Sequence, residues 1–421
     1  MEVNLAYGRT GLKVHLPDTM VTVIEPHYAV GVKDERQTIL QALRQPINSR
    51  PVRDLVHPGD TVAIIFSDLT RPMPNDRVLP VLLEELAHLP KGDIVLINAL
   101  GTHRANTETE LQRMLGSAIV DGYRIIQHDC TDQGNLVHLG MTRFGHPIWL
   151  NKTFLEARVR ILTGFIEPHF FAGFSGGPKA VLPGVAGEMT ILGNHSGRMI
   201  GHPSANWAVT AGNPVWEEIC EVAEKVRPDF ILNVTLNKNR AITGVFAGEM
   251  KEAHHRGTEF ARSQAMVSVS GPYDIAITTN AGYPLDLNLY QAIKGMAAAA
   301  QIVRPGGAII LAAECWDGIP EHGEYKNLLH RAKDPQQLLD IVNQPNFLIR
   351  DQWEAQIQAL IQLKAKVYLK SSLSDDEIRR ALLEPCHSIE ETLDRLLIEY
   401  GADASICVLP EGPQTIPVLA S

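Results

Sequence analysis

The chain has 421 residues, 45% hydrophobic, 20% charged and 6% aromatic, which predicts a globular protein of two or three domains able to bury a core without staples. Lys plus Arg number 38 and Asp plus Glu 48, a net charge of −10, which argues against a nucleic-acid partner and against a polybasic membrane anchor. No apolar run reaches the ~18 residues of a membrane-spanning helix, and the one surplus is 16 His and 33 Gly.

The first residues, Met1-Glu2-Val3-Asn4, carry neither the basic nor the apolar region of a secretory signal. Residues 3–7 and 12–16 alternate around Gly8-Arg9-Thr10-Gly11, the pattern of a β-hairpin. Residues 61–66 (TVAIIF) read as a strand after the turn Pro58-Gly59-Asp60, and 77–88 as a helix with one apolar stripe through Val78, Leu79, Leu82, Leu83 and Leu86. A strand at 94–97 precedes Gly101-Thr102-His103 and a helix whose N-cap is Thr107. Residues 158–163 form the next strand, leading into a long Gly-rich loop. Further on, 274–278 and 307–312 read as strands flanking an Ala-rich helix at 288–302; the remainder to about Tyr400 is largely helical, and 406–409 closes as a strand. Strands alternating with helices imply an α/β protein with mainly parallel sheets. We expect two α/β domains, 1–270 and 271–421, with the active-site cleft between them. Cysteines at 130, 220, 315, 386 and 407 form neither a CxxC nor a disulfide framework, which fits a reducing cytoplasm.

Several common sites are excluded or weak. No Gly-x-Gly occurs, so the dinucleotide fingerprint is absent. Gly173-Phe-Ser-Gly-Gly-Pro-Lys179 superficially resembles a P-loop, but Pro178 removes an N–H donor and no Ser or Thr follows Lys179. Gly173-x-Ser175-x-Gly177 matches the nucleophile-elbow pattern, yet the preceding strand ends about ten residues earlier, whereas that chemistry needs a strand running straight into the serine. No HExxH, zinc-finger or EF-hand spacing is present.

Three polar clusters remain, each following a strand, where ligands bind in parallel sheets: Ser67-Asp-Leu-Thr-Arg-Pro72, Gly101-Thr-His-Arg104 and Glu167-Pro-His-Phe-Phe-Ala-Gly-Phe-Ser-Gly-Gly-Pro-Lys179. Gly193-Asn-His-Ser196 and Tyr290-Gln-Ala-Ile-Lys294 follow. They offer two candidate acid/bases (His103, His169), a nitrogen ligand (His195), an amine (Lys179) and two cations for a carboxylate (Arg71, Lys294). Gln291 and Lys294, three apart on the expected helix, share a face. His88, His128, His138, His254, His255 and His387 lie outside these clusters and read as structural or solvated.

In this order the motifs DLTRP, GTHR, HFFAGFSGGPK and GNHS closely resemble the nickel-dependent lactate racemase family, over nearly the whole chain. The resemblance implies a pincer cofactor, pyridinium-3,5-bisthiocarboxylic acid mononucleotide, that holds nickel through two sulfurs and a ring carbon. It further implies that Lys179 tethers this cofactor covalently, that His195 ligates the nickel, and that His103 and His169 are the paired acid/bases. Arg71 and Lys294, helped by Gln291, would hold the substrate carboxylate; Asp68, Thr70 and Ser175 would lie against the cofactor, and Tyr290 and Trp353 would line the pocket. Pro178 stands where a basic residue would more readily be expected.

The implied reaction is racemisation of a small anionic 2-hydroxy acid, with lactate as the default. Abstracting a proton from Cα would place carbanion charge beside the carboxylate. Removing hydride while a base takes the hydroxyl proton leaves a neutral keto group, and an electron-poor nickel–pyridinium centre can accept hydride where no side chain can. Enzymes that make the cofactor and insert nickel would be transient partners. Racemisation or epimerisation of malate, an aryl-lactate or a sugar acid stands as the alternative; more distant ones are a serine hydrolase using Ser175 and a non-catalytic nickel- or nucleotide-binding protein.

Overall fold

The apolar run expected at 61–66 forms the strand Val62–Ser67, whose first five residues are buried, as a central parallel strand covered on both faces requires. In the computed structural model, which describes residues 1–17, 20–321 and 323–420, the chain divides into two compact units. One comprises Tyr28–Asn194 and Pro203–Gln264; the other Met1–His27, His195–His202 and Ala265–Ser421.

The first unit is built on a six-stranded sheet in the order Ile242–Gly248, Phe230–Leu236, Val159–Phe165, Val62–Ser67, Ile94–Ala99, Arg124–Gln127. The last five strands are parallel and only Ile242–Gly248 runs antiparallel, at the edge. Ile65 pairs with both Leu162 and Ile97, so strand order reverses between Val62–Ser67 and Val159–Phe165. Such a switch point opens a crevice beyond the carboxyl ends of the two strands. Asp68 leaves one of them and Glu167 the other. The helix Asn75–Glu85 buries Val78, Leu79 and Leu82 against Ile64 and Phe66, the stripe read from the sequence.

The second unit has a six-stranded sheet, wholly parallel, in the order Glu384–Pro385, Ala365–Lys370, Val303–Ala312, Tyr273–Thr279, Ile406–Leu409, Val21–Val23. Sequence order and spatial grouping part company here. The N-terminal hairpin, Glu2–Leu5 against Leu12–His15, packs Val3, Leu5 and Val14 into a core with Ile275, Ile277 and Ile310. Val21–Val23 then adds an edge strand beside Ile406–Leu409. The stretch expected to be largely helical up to Tyr400 also contains Ala365–Lys370, a strand in the interior of this sheet. It directly follows the helix Gln352–Lys364, so the strand's alternation is masked by the helical pattern before it. All five cysteines are free thiols, and no helix among the described residues is long and apolar enough to cross a membrane.

Thr107 caps the helix Glu108–Leu115 as expected, within a capping box: Thr107 Oγ1 accepts from Glu110 N at 3.2 Å and Glu110 Oε2 accepts from Thr107 N at 2.8 Å. Thr107→Ala is expected to cost about 1 kcal/mol, read as a lower urea midpoint with an unchanged m-value; an unchanged midpoint would show that the cap contributes nothing.

Candidate active site

At the end of Val62–Ser67 the chain turns, with Arg71 N donating to the Asp68 carbonyl at 3.1 Å. Asp68 is only 2% exposed and gathers the neighbouring polar groups. His103 Nδ1 lies 2.8 Å from Asp68 Oδ2, Thr70 Oγ1 donates to Oδ1 at 3.0 Å, and Arg71 Nε stands 4.0 Å from Oδ1. Burial by itself would raise the Asp68 carboxyl. The hydrogen bond and charge of His103, with Arg71 and Thr70, outweigh it together and hold the group below its usual range. An ionised carboxylate only accepts, so Nδ1 of His103 must carry a proton. In the neutral ring, Nε2 is then the basic atom. Arg104 is held apart by a two-pronged pair with Glu110, at 2.9 and 2.7 Å; this pair, with the Thr107 cap, draws Glu110 down to about 2.

His169 has the opposite polarity. Its Nδ1 accepts from Ala172 N at 3.3 Å, which leaves the proton of the neutral ring on Nε2. The ring stacks on Phe170 and meets Phe171 edge-on, with centroids at 5.0 and 4.5 Å. Lys179 lies farther along the same loop, in the short turn Gly177–Ala180, its Nζ 5.7 Å from the centre of the Phe171 ring. Pro178 sits early in that turn, where a missing N–H costs nothing.

Ser175 contributes to the loop's shape. Its hydroxyl donates to the Phe165 carbonyl and accepts from Glu167 N, both at 2.9 Å. That ties the oxygen to backbone on both sides, the geometry of a loop brace rather than of a nucleophile. Two buried residues outside the sequence-derived set hold the loop from beneath: Asn233 Oδ1 accepts from Gly177 N at 2.6 Å, and His254 Nε2 donates to the Ser175 carbonyl at 2.9 Å. Gly177 has φ +50, and a Cβ there would lie 2.4 Å from His254 Cδ2, so only glycine fits.

The second unit brings together the remaining candidates. Asn288 caps the helix Leu289–Ala299 by accepting from Gln291 N, which sets Gln291 and Lys294 on one face; Lys294 Nζ donates to Gln291 Oε1 at 2.7 Å. Tyr290 OH donates to Asp351 Oδ1 and accepts from Trp353 Nε1, both at 3.3 Å. Burial, with Glu354 and Asp351 nearby, pushes the Tyr290 phenol well up, so it stays protonated. The Trp353 and His195 rings meet edge-on with centroids 4.9 Å apart, and His195 is 5% exposed. The candidates thus fall into three groups: Asp68, Thr70, Arg71 and His103; His169, Ser175 and Lys179; and His195, Tyr290, Gln291, Lys294 and Trp353.

Family models for the lactate racemase N-terminal domain and C-terminal domain match residues 7–208 and 268–417. The lactate racemase of Thermoanaerobacterium thermosaccharolyticum is 35% identical over 421 residues, 98% of each chain. The chain belongs to the lactate racemase family. The lactate racemase of Lactiplantibacillus plantarum is 39% identical over 382 residues, 90% of each chain. The structure of the Thermoanaerobacterium apoprotein superposes with a TM-score of 0.93 at 34% identity, covering 99% of this chain and 100% of that one. A Thermotoga maritima protein, at 19% identity and TM-score 0.71 over 91% of this chain and 98% of its own, shares the fold. Membership of this family makes the chain an isomerase of the racemase class.

Asn233 was not singled out in the sequence, and His254, read there as structural or solvated, is a buried structural residue whose partner the sequence did not reveal. Asn233 interrupts the apolar strand FILNVTL, a usable signal, since a polar side chain in a covered parallel strand needs a partner. His254 lies on a helix with no local motif. Burial pushes its imidazole down to about 4, against the raising effect of the Ser175 carbonyl. Between that value and the ordinary ~6.5 the unfolded chain binds more protons than the folded one, so stability is complete above pH ~6.5 and is lost as pH falls toward 4. The thermal midpoint of the cofactor-free protein should decline across that window. His254→Phe, which keeps an aromatic ring against Trp216 without a titrating group, should flatten the decline; an unchanged slope would assign it to other groups.

Proposed function

We propose that the protein racemises a small 2-hydroxy acid, with lactate first among substrates, and that His103 and His169 are its acid/base pair. The observation that carries this is the opposite tautomer of the two imidazoles, set by Asp68 on one and by Ala172 N–H on the other. The curated relatives, both lactate racemases, support lactate as the substrate.

As the hydroxyl becomes a carbonyl, its oxygen must lose a proton, and His103 Nε2 is poised to take it. When the opposite face is restored, the oxygen must regain a proton; His169 gives it from Nε2 as the imidazolium, once Nδ1 has taken up a proton in place of its contact from Ala172 N, and is left as a neutral ring. Turnover therefore needs one neutral and one protonated imidazole, their roles exchanging with direction. Arg71 and Lys294 bind the carboxylate, Arg71 through a planar two-pronged contact and Lys294 as a charge steadied by Gln291. Tyr290 and Trp353 wall the pocket.

The donor chemistry fits the nickel-pincer cofactor. Among the described residues no group of three or more His, Cys, Asp or Glu side chains could hold a metal, so nickel at His195 needs donors that a cofactor brings. A buried imidazole suits nickel, and Lys179, on its braced loop, offers the amine for a covalent tether, with Asp68 and Thr70 alongside. When bound, the cofactor supplies the acceptor for the Cα hydrogen and its electron pair, which no side chain provides. Loading requires the enzymes that make the cofactor and insert nickel, and the free thiols suit a cytoplasmic setting.

Co-expression with the cofactor-making enzymes should give an intact mass raised by an adduct that Lys179→Ala abolishes, together with racemisation in a chiral assay run over lactate, malate, aryl-lactate and sugar acids. Full activity without a mass increment would sink the tether. His103→Ala and His169→Ala should each lower kcat about 10²–10⁴-fold, and undiminished racemisation in either would remove that residue from the acid/base pair. Asp68→Asn should lower kcat more than it raises KM, because an amide no longer dictates the His103 tautomer.

A further inference from the structure

The stretch His195–His202 groups with Ala265–Ser421, although the residues on either side of it, up to Asn194 and from Pro203, belong to the other unit. The helix Gln352–Lys364 supplies two hydrogen bonds that hold it. Gln352 Nε2 donates to the carbonyl of His195 at 3.2 Å, and Gln356 Nε2 donates to the carbonyl of Gly197 at 2.7 Å. Both amides are buried, Gln352 at 0% and Gln356 at 1% exposure. Four residues apart, they stand one above the other on the same helix face.

The Gln352 amide cannot turn round without loss, because its Oε1 accepts from Ile349 N at 3.0 Å. Between the two glutamines Trp353 sets its ring against the His195 imidazole, and Trp353 is itself held through Nε1 to Tyr290 OH. On the far side, Gly197 fits so closely under the end of the helix Pro335–Val342 that a Cβ would lie 2.8 Å from Asn343 Oδ1 and 2.9 Å from the Val342 carbonyl. The backbone at residues 195 and 197 is thus held by hydrogen bonds, and the ring of residue 195 by an edge-on aromatic contact. Two buried amides aimed at the first and third carbonyls of a three-residue segment are a costly arrangement for packing alone, since a donor must be matched once buried.

We propose that Gln352 and Gln356 are positioning residues for His195, a two-point clamp that presets the imidazole for the nickel. The proposal rests on the reading of His195 as the metal ligand. The clamp acts as outer partners of metal ligands do, by fixing the ligand's orientation before the metal arrives.

The test uses Gln352→Met and Gln356→Met, singly and together, since methionine keeps an unbranched chain of similar length without the donor. Hydrogen exchange on the cofactor-free protein should show faster exchange in a peptide spanning 195–202 and little change elsewhere. Protein co-expressed with the cofactor-making enzymes should keep the Lys179 adduct at wild-type stoichiometry while losing nickel about 10- to 100-fold more readily, with shifted absorption bands of the metal site. Unchanged exchange in 195–202 would overturn the clamp. Faster exchange with nickel retention and spectrum as in wild type would overturn the positioning role and leave the amides as packing. If the double variant does not fold, each single variant carries the same comparison. A wild-type protein with neither adduct nor nickel would instead overturn the cofactor reading, and with it the ligand the clamp presets; His195→Ala separates the cases, since it should keep the adduct and lose nickel where His195 is the ligand.

Discussion

The parallel pairing of Val62–Ser67 with Val159–Phe165 is the constraint from which the chemistry of the first unit follows. Parallel strands end on the same edge of a sheet, and at a switch point the chains leaving that edge diverge. One exit carries Asp68, Thr70 and Arg71, and the other carries His169 and then Lys179. A third parallel strand, Ile94–Ala99, delivers His103 to the same edge. Without that common direction His103 could not reach within 2.8 Å of a carboxylate 35 positions earlier.

A buried carboxylate is the expensive element of this arrangement. Asp68 is nearly inaccessible, and an isolated charge there would neutralise itself by a raised pKa. It remains ionised because a hydroxyl and two cationic or polarisable groups converge on it. The return is control over which nitrogen of His103 carries the proton. His169 is governed by a backbone N–H instead. The two imidazoles are alike in type and opposite in tautomer because one faces an acceptor and the other a donor.

The second unit follows a related logic with neutral groups. Its candidates are oriented through amide, phenol and indole hydrogen bonds, from Lys294 to Gln291 and from Trp353 to Tyr290. Gln352 and Gln356 extend the pattern to the backbone at His195. The rigid helix Gln352–Lys364 thereby sets both a ring and the segment it faces.

Much of this was legible in the sequence. The strands at 61–66, 94–97, 158–163 and 274–278, the Thr107 cap and the polar clusters after strands each depend on local pattern or on residues a few positions apart, and so did the DLTRP, GTHR, HFFAGFSGGPK and GNHS motifs by which the family resemblance was read. What the sequence could not decide was set by contacts between distant residues. The N-terminal hairpin packs with a core more than 250 residues away because only there does its apolar face find Ile275 and Ile277. Asn233 and His254 brace the Lys179 loop across 56 and 79 positions, and no local spacing encodes such a pairing. Residue types and local periodicity determined which chemistry this chain can support, and the partner that sets the His169 tautomer lies only three positions away; tertiary structure alone decided which nitrogen of His103 bears the proton, because Asp68 is brought close by the sheet.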